Sequence, residues 1–127
     1  MWSADRLLET VRGFQAACVI TAAADLDLFA AIEGGSATAA VIAGWINADP
    51  HATEVLLDAL AALGLLVKQN ESFRIPSEIA ELLTEDSPTS ILPGVRHQAN
   101  CLRRWAQLAR VVRTGRPADR VPSIRGE

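Results

Sequence analysis

The segment that most constrains the fold of this chain is the run at residues 16–24, where only the hydroxyl group of Thr21 interrupts an otherwise apolar stretch. The apolar spacing before and within the run predicts one helix over residues 4–23. A helix that is apolar all round has to be covered all round, and a small domain covers only one side of it. We therefore expect a second copy of the chain to cover the other side. The candidate interface residues are Val11, Val19, Ile20 and Ala23.

The middle of the sequence predicts two short helices followed by a β-hairpin. The helices, over 39–46 and 50–63, are separated by a tight turn and form a helix-turn-helix. The pair Asp49-Pro50 has the residue types of an N-cap and a first-turn proline. Short β segments at 65–69 and 72–75 follow directly. This order predicts a mainly α fold, a winged helix-turn-helix with a small β-hairpin wing and extra N- and C-terminal dimerisation helices.

The C-terminal part of the chain predicts a long helix over 95–113, beginning after Pro93-Gly94 interrupts an earlier start. Short helices are predicted over 25–33 and from Pro76 onward. Periodicity assigns one stripe of the long helix to the protein interior. The stripe consists of Leu102, Trp105, Leu108, Ala109 and Val112.

Charge is divided unevenly along the chain. Residues 1–95 contain 4 basic and 13 acidic side chains, whereas residues 96–127 contain 8 arginines and 2 acids. We expect these arginines to lie on a solvated helix face or to pair with the acidic remainder of the fold. Residues 36–67, which hold the helix-turn-helix, contain no Lys or Arg, although DNA binding needs several cationic contacts to phosphate groups. The sequence therefore predicts no nucleic-acid partner.

The two cysteines, Cys18 and Cys101, are far apart, and no histidine stands at metal-ligand spacing from either. The sequence predicts neither a disulfide framework nor a metal site, and two buried thiols suit a reducing compartment. No basic and apolar leader is visible, and no apolar run approaches the ~20 residues of a membrane span. We expect a cytoplasmic protein with no membrane partner.

An apolar helix and five blocks after it follow one another in a fixed order along residues 14–118. The blocks are 25–32 (DLDLFAAI), 36–40 (SATAA), 49–66 (DPHATEVLLDALAALGLL), 73–77 (FRIPS) and 105–118 (WAQLARVVRTGRPA). Each block alone is a weak signal, whereas the ordered combination is specific. Together they resemble the N-terminal dimerisation domain of S-adenosylmethionine-dependent small-molecule O-methyltransferases, of the plant and actinomycete natural-product type.

The resemblance implies a homodimer, since two protomers intertwine through this domain in the family. It also implies a full-length enzyme that uses S-adenosylmethionine and a hydroxylated small-molecule acceptor, with its catalytic base in a following Rossmann-like domain. This sequence has no Gly-x-Gly turn after a strand. We therefore expect the chain alone to bind no cofactor and to hold no catalytic residue. Residues 1–118 are predicted to be the dimerisation domain and 119–127 a linker toward a catalytic domain that is absent from this chain.

The resemblance also marks five candidate residues for a substrate pocket or an interface. Phe14, Gln15 and Cys18 lie where the first helix of one family protomer reaches the acceptor pocket of its partner. His97 and Trp105 lie on the long helix that comes near that pocket in the family. For all five, the competing interpretation is packing or a surface position without a ligand. The implied function is a dimerisation and substrate-lid module that is not catalytic by itself.

Two other functions stay open on the residues alone. One is a winged-helix transcriptional regulator that binds DNA, against which the acidic helix-turn-helix counts. The other is a freestanding interaction subunit that pairs with a separately encoded methyltransferase. Nothing in the sequence separates this second alternative from the dimerisation module.

Overall fold

The computed structural model describes residues 1–126 and confirms a mainly helical fold class with one small antiparallel sheet. The helices are α1 (Ala4–Arg12), α2 (Phe14–Asp25), α3 (Leu28–Ile32), α4 (Ala39–Trp45), α5 (Pro50–Ala62), α6 (Ser77–Leu83), α7 (Leu92–Trp105) and α8 (Leu108–Thr114). The strands are β1 (Ala37–Thr38), β2 (Val67–Gln69) and β3 (Ser72–Arg74), in the sheet order β1-β3-β2. Within residues 1–126, no helix is both long and apolar enough to cross a lipid bilayer.

The helix pair α4–α5 and the hairpin β2–β3 form where local chemistry predicts them. Oγ1 of Thr38 accepts a hydrogen bond from the N–H of Val41 at 3.4 Å, and Oδ2 of Asp49 accepts one from the N–H of Ala52 at 2.8 Å. Both helices therefore begin at a side-chain N-cap. Asn70 turns the hairpin with φ 57°, a left-handed conformation that asparagine tolerates better than most residues.

One apolar core lies between α2, α3, α4, α5, β3 and the start of α7. Its largest fully buried side chains are Phe29, Phe73, Leu28, Ile32, Ile42, Leu57 and Leu60. Helix α7 packs on α2, whose Ala23 and Ala24 are buried. The small alanine side chains let the two helices approach closely.

The N-terminal helices and the sheet differ from the prediction in three places. The helix predicted over 4–23 is divided at Gly13, whose N–H donates to the carbonyl of Thr10 in a tighter turn. The helix predicted over 25–33 is reduced to α3, because Asp27 adopts φ 57° at its start. Strand β1 was not predicted, since two residues are too few to show a periodic pattern.

The long helix predicted over 95–113 is two helices. Helix α7 begins at Leu92, so that Pro93 lies in its first turn, where the missing N–H of proline costs little, and does not interrupt it. Helix α7 ends at Trp105, and residues 106–107 separate it from α8.

The stripe of α7 and α8 that periodicity assigned to the interior is mostly exposed. Trp105 is 69% and Val112 is 76% exposed, and of the five stripe residues only Leu102 is half-buried. The core receives Leu92 and Ala99 from a different face of α7. The assignment was wrong because periodicity identifies an apolar stripe without identifying the surface that covers it.

Arg96, Arg103 and Arg125 pair with the acidic part of the chain, as one of the two charge interpretations expects, whereas Arg104 and Arg113 lie on exposed helix surface, as the other expects. Arg96 and Arg125 both contact Oδ1 of Asp27, at 2.9 and 2.8 Å, and Arg103 contacts Asp25 at 3.0 Å. These contacts join the C-terminal third of the chain to the turn between α2 and α3.

Candidate functional site: two exposed apolar surfaces

Helix α1 carries an apolar stripe that its own chain does not cover. All of residues 1–17 are exposed, and α1 contains no buried residue. We name Leu7 and Val11 of α1, together with Phe14 at the start of α2, the N-terminal surface. Val11 is 67% and Phe14 is 57% exposed, while Glu9 lies on the opposite side of the helix by its position in the turn. An amphipathic helix with an open apolar face is suited to a partner.

Helix α2 is covered by its own chain more completely than the sequence predicts. Ala23 has no exposed surface and belongs to the core, so its assignment to a partner interface is corrected. The reason is that both α5 and α7 of the same chain pack on α2. Val19 and Ile20 are half-buried, and Val11 is the exposed member of the four candidates.

The second apolar surface lies beside the junction of α7 and α8. It is a groove of about 270 Å³ lined by Cys101, Arg104, Trp105, Leu108, Val111 and Ala118. We name it the C-terminal groove. Its lining is mainly apolar and includes the exposed indole of Trp105, and tryptophan is among the side chains enriched at protein interfaces.

His97 and Cys101 occupy successive turns of α7 beside the C-terminal groove. Nε2 of His97 and Sγ of Cys101 are 3.5 Å apart, within hydrogen-bonding distance for sulfur. Since Cys101 and Trp105 both line the groove, the three residues follow one face of the helix. Two metal ligands on one helix can have this i, i+4 spacing, so the expectation that no histidine stands at ligand spacing from a cysteine was wrong for Cys101. A metal site needs more ligands than this pair offers, and residues 1–126 contain no group of three or more His, Cys, Asp or Glu side chains placed to hold an ion.

The three pocket candidates on the first helices, Phe14, Gln15 and Cys18, are not among the residues that line the C-terminal groove. Gln15 lines a shallow groove between α2 and α5 together with Leu63, Phe14 belongs to the N-terminal surface, and Cys18 is half-buried. Neither Gln15 nor Phe14 lines the groove that contains Trp105. A pocket shared by all five candidates therefore needs a second protomer, and their role in substrate binding stays a prediction.

A charged cluster centred on Arg96 borders a cavity of about 260 Å³ whose floor includes Phe29. Arg96 donates to Oε1 of Glu85 at 2.6 Å and to Oδ1 of Asp27 at 2.9 Å, and Arg125 donates to the same Asp27 oxygen. The hydrogen bond from Arg96, and then its charge, lower the pKa of Glu85. Burial opposes the charged form of Arg96, but Glu85 and Asp27 outweigh burial and raise its pKa. Two cations and two anions make the cluster neutral, which favours a role in holding segments together.

Sequence reasoning missed Leu7 and Leu108 as surface residues. A signal existed for Leu7, because it shares the helical period of Val11 and Phe14 on a helix whose polar face is strongly charged. No signal existed for Leu108, because an interior stripe and an exposed stripe have the same period.

Comparison with known proteins places this chain in a family. Residues 8–87 match the family model described as the O-methyltransferase dimerisation domain. Human acetylserotonin O-methyltransferase is 37% identical over 120 residues, which cover 87% of this chain and 34% of that protein. O-demethylpuromycin-O-methyltransferase of Streptomyces alboniger is 33% identical over 116 residues, which cover 90% of this chain and 31% of that protein. The crystal structure of human N-acetylserotonin methyltransferase in complex with SAM aligns with a TM-score of 0.75 and 31% identity, over 91% of this chain and 36% of that chain.

A mainly helical domain with two open apolar surfaces fits the class of helical dimerisation modules. The family model and the relatives make the class specific: this chain belongs to the O-methyltransferase dimerisation-domain family. The chain spans about a third of the length of the curated relatives it matches.

Proposed function

We propose that this chain forms a homodimer through the N-terminal surface and the C-terminal groove, as the dimerisation and substrate-lid part of an S-adenosylmethionine-dependent O-methyltransferase. The observation that carries the proposal is the exposure of Leu7 and Val11 on α1, a helix that buries nothing in its own chain, together with the exposure of Phe14 at the start of α2. A lone helix shorter than about 12 residues is marginal in water. Helix α1 therefore needs a partner surface, and the family supports a second copy as that partner.

The expected driving force is sufficient for a stable dimer. Burying apolar area contributes roughly 25 cal/mol per Å², and permanent interfaces bury on the order of 2,000 Å² or more. That gain exceeds the cost of association when few charges have to be desolvated. The two surfaces as defined include one charged side chain, Arg104 at the groove.

For the whole protein, we propose methyl transfer from S-adenosylmethionine to a hydroxyl group of a natural-product-type small molecule, by groups outside residues 1–127. The names of both curated relatives and the SAM complex of the solved relative support this proposal. Within it, the pocket candidates line the acceptor site across the dimer, and this chain contributes no catalytic group. These candidates are Phe14, Gln15, Cys18, His97 and Trp105. A cytoplasmic location, without nucleic-acid or membrane partners, belongs to the same proposal.

Light scattering coupled to size exclusion tests the dimer at low micromolar concentration. We expect twice the chain mass of 13.6 kDa for the wild-type chain. Val11→Asp is expected to give a folded monomer, since it places a charge in the interface without touching the core. Glu9→Lys, on the opposite side of α1, is the control and is expected to remain dimeric. A wild-type chain that is folded and monomeric contradicts the proposal.

A further inference from the structure

Residues 115–126 follow α8 without a helix or strand of their own, yet Asp119 and Val121 accept hydrogen bonds from residues near the junction of α7 and α8. The half-buried Gln107 at this junction holds them. Its Oε1 accepts a hydrogen bond from the N–H of Asp119 at 2.9 Å, and its Nε2 donates to the carbonyl of Asp119, also at 2.9 Å. Nε2 also donates to the carbonyl of Arg103 at the end of α7, at 3.1 Å. One side-chain amide thus satisfies both backbone groups of Asp119, as a neighbouring strand does in a sheet.

Three arginines of the helical body and of the segment itself add contacts around this anchor. Two arginines of the helical body contact a carboxylate and a backbone carbonyl group of the segment. One arginine of the segment contacts a carboxylate at the turn between α2 and α3. The pairs are Arg110 with Asp119 (2.9 Å), Nε of Arg103 with the carbonyl of Val121 (3.1 Å), and Arg125 with Asp27 (2.8 Å).

We propose that residues 116–126 form a strap that docks on α7 and α8 of the same chain, with Gln107 as the positioning residue. Ala118 of the strap lines the C-terminal groove, so the docked strap supplies one wall of that groove. Docking of the strap is an intrachain event that stands independently of the dimer. Its consequence for dimerisation, through the shape of the groove, rests on the proposed function.

Trypsin tests docking because Arg120 and Arg125 are cleavage sites inside the strap, whereas Arg116 is shielded by Pro117. A protease cuts a segment in its undocked state, so the cleavage rate after Arg120 reports how often the strap is released. We expect the wild-type chain to be cut there more slowly than a free peptide of residues 115–127. Gln107→Ala is expected to raise the rate on the order of tenfold, since two hydrogen bonds to the strap are lost.

Three variants keep the test decisive. Gln98→Ala, an exposed glutamine on α7, is the matched control and is expected to leave the rate unchanged. Asp119→Pro changes a residue outside both helices and removes the N–H that donates to Gln107, together with the carboxylate that Arg110 contacts. Each rate is divided by that of a free peptide with the same sequence. In the Val11→Asp variant, which disrupts the proposed dimer, the strap is expected to stay protected.

If the wild-type chain is cleaved as fast as its free peptide, the proposal that the strap docks is wrong. The proposal is also wrong if both Gln107→Ala and Asp119→Pro leave the normalised cleavage rate unchanged. Loss of protection in Val11→Asp shows that a partner chain holds the segment, and this too overturns intrachain docking. If light scattering finds a monomer while the strap is protected, the dimer fails and the strap stands.

Discussion

Glu85 shows how one exposed ion pair makes stability depend on pH. Arg96 donates to its carboxylate at 2.6 Å, and this contact lowers the pKa of Glu85 from its ordinary value of 4.5. A carboxyl whose pKa is lower in the folded state stabilises the fold above its unfolded pKa, and this stabilisation is lost as pH falls through the folded pKa. The contribution of Glu85 is therefore complete near neutrality and disappears in acid.

We expect Glu85→Gln to lower the thermal midpoint slightly at pH 7, because exposed ion pairs contribute little. The difference from the wild-type chain is expected to shrink as pH falls below about 4.5, the ordinary pKa of the group, and to vanish once pH is below the lowered pKa of the folded chain. Circular-dichroism melts from pH 3 to pH 7 measure this, with the neighbouring Asp86→Asn as control. A difference that is the same at every pH, or that Asp86→Asn reproduces, argues against a specific Arg96 contact.

Single residues were predictable from the sequence where the chemistry is local. Asp49 caps its helix as expected, since the group it bonds lies three residues away. Arg96 and Arg103 find carboxylates 69 and 78 residues away. No local pattern encodes such a partner, so the sequence left open whether the arginines face solvent or pair with the acidic part of the chain.

At the level of elements, α5 depends on its N-cap. Oδ2 of Asp49 satisfies the N–H of Ala52, one of the groups that have no partner inside the helix. We expect Asp49→Ala to lower the free energy of unfolding by about 1 kcal/mol. Urea unfolding at fixed protein concentration measures the change, with Glu54→Gln later in the same helix as control. Equal effects of the two substitutions contradict a capping role.

Element types were easier to predict than element faces. The helix pair and the hairpin were predicted because N-cap residues, a proline and turn residues mark the ends of these elements in the sequence. The division of the first helix at Gly13 and the turn of Asp27 into the left-handed region were not predicted, since glycine within a helix and aspartate near a helix end permit several outcomes. The periodicity of the sequence assigned the exposed apolar face of α7 and α8 to the protein interior. Periodicity shows that a helix has an apolar face, but it does not show which surface covers that face.

At the scale of the whole molecule, the distribution of charge argues against nucleic acid. Residues 36–67, which span β1, α4 and α5, contain no Lys or Arg. Arg96, Arg103 and Arg125 are engaged by carboxylates, whereas Arg104 and Arg113 are exposed on α7 and α8 and can give a weak, salt-sensitive attraction. A DNA-binding surface gains most of its affinity from cationic contacts to phosphate groups. We expect no sequence-selective complex in a mobility-shift titration at about 150 mM salt, where surface charges are screened. A selective complex under these conditions favours the transcriptional-regulator alternative.

The proposed homodimer also predicts how the melting temperature of the chain depends on its concentration. If the folded state is a dimer and the unfolded state is two chains, mass action raises the midpoint with protein concentration. A tenfold rise contributes about 1.4 kcal/mol, and two chains of this length unfold with an entropy of roughly 0.5 kcal/mol/K. We therefore expect the midpoint to rise by about 3 °C for each tenfold increase. The Val11→Asp monomer is expected to melt at the same temperature at every concentration, whereas Glu9→Lys should follow the wild-type slope. A concentration-independent midpoint for the wild-type chain means that unfolding is not coupled to dissociation, and it contradicts the proposed homodimer.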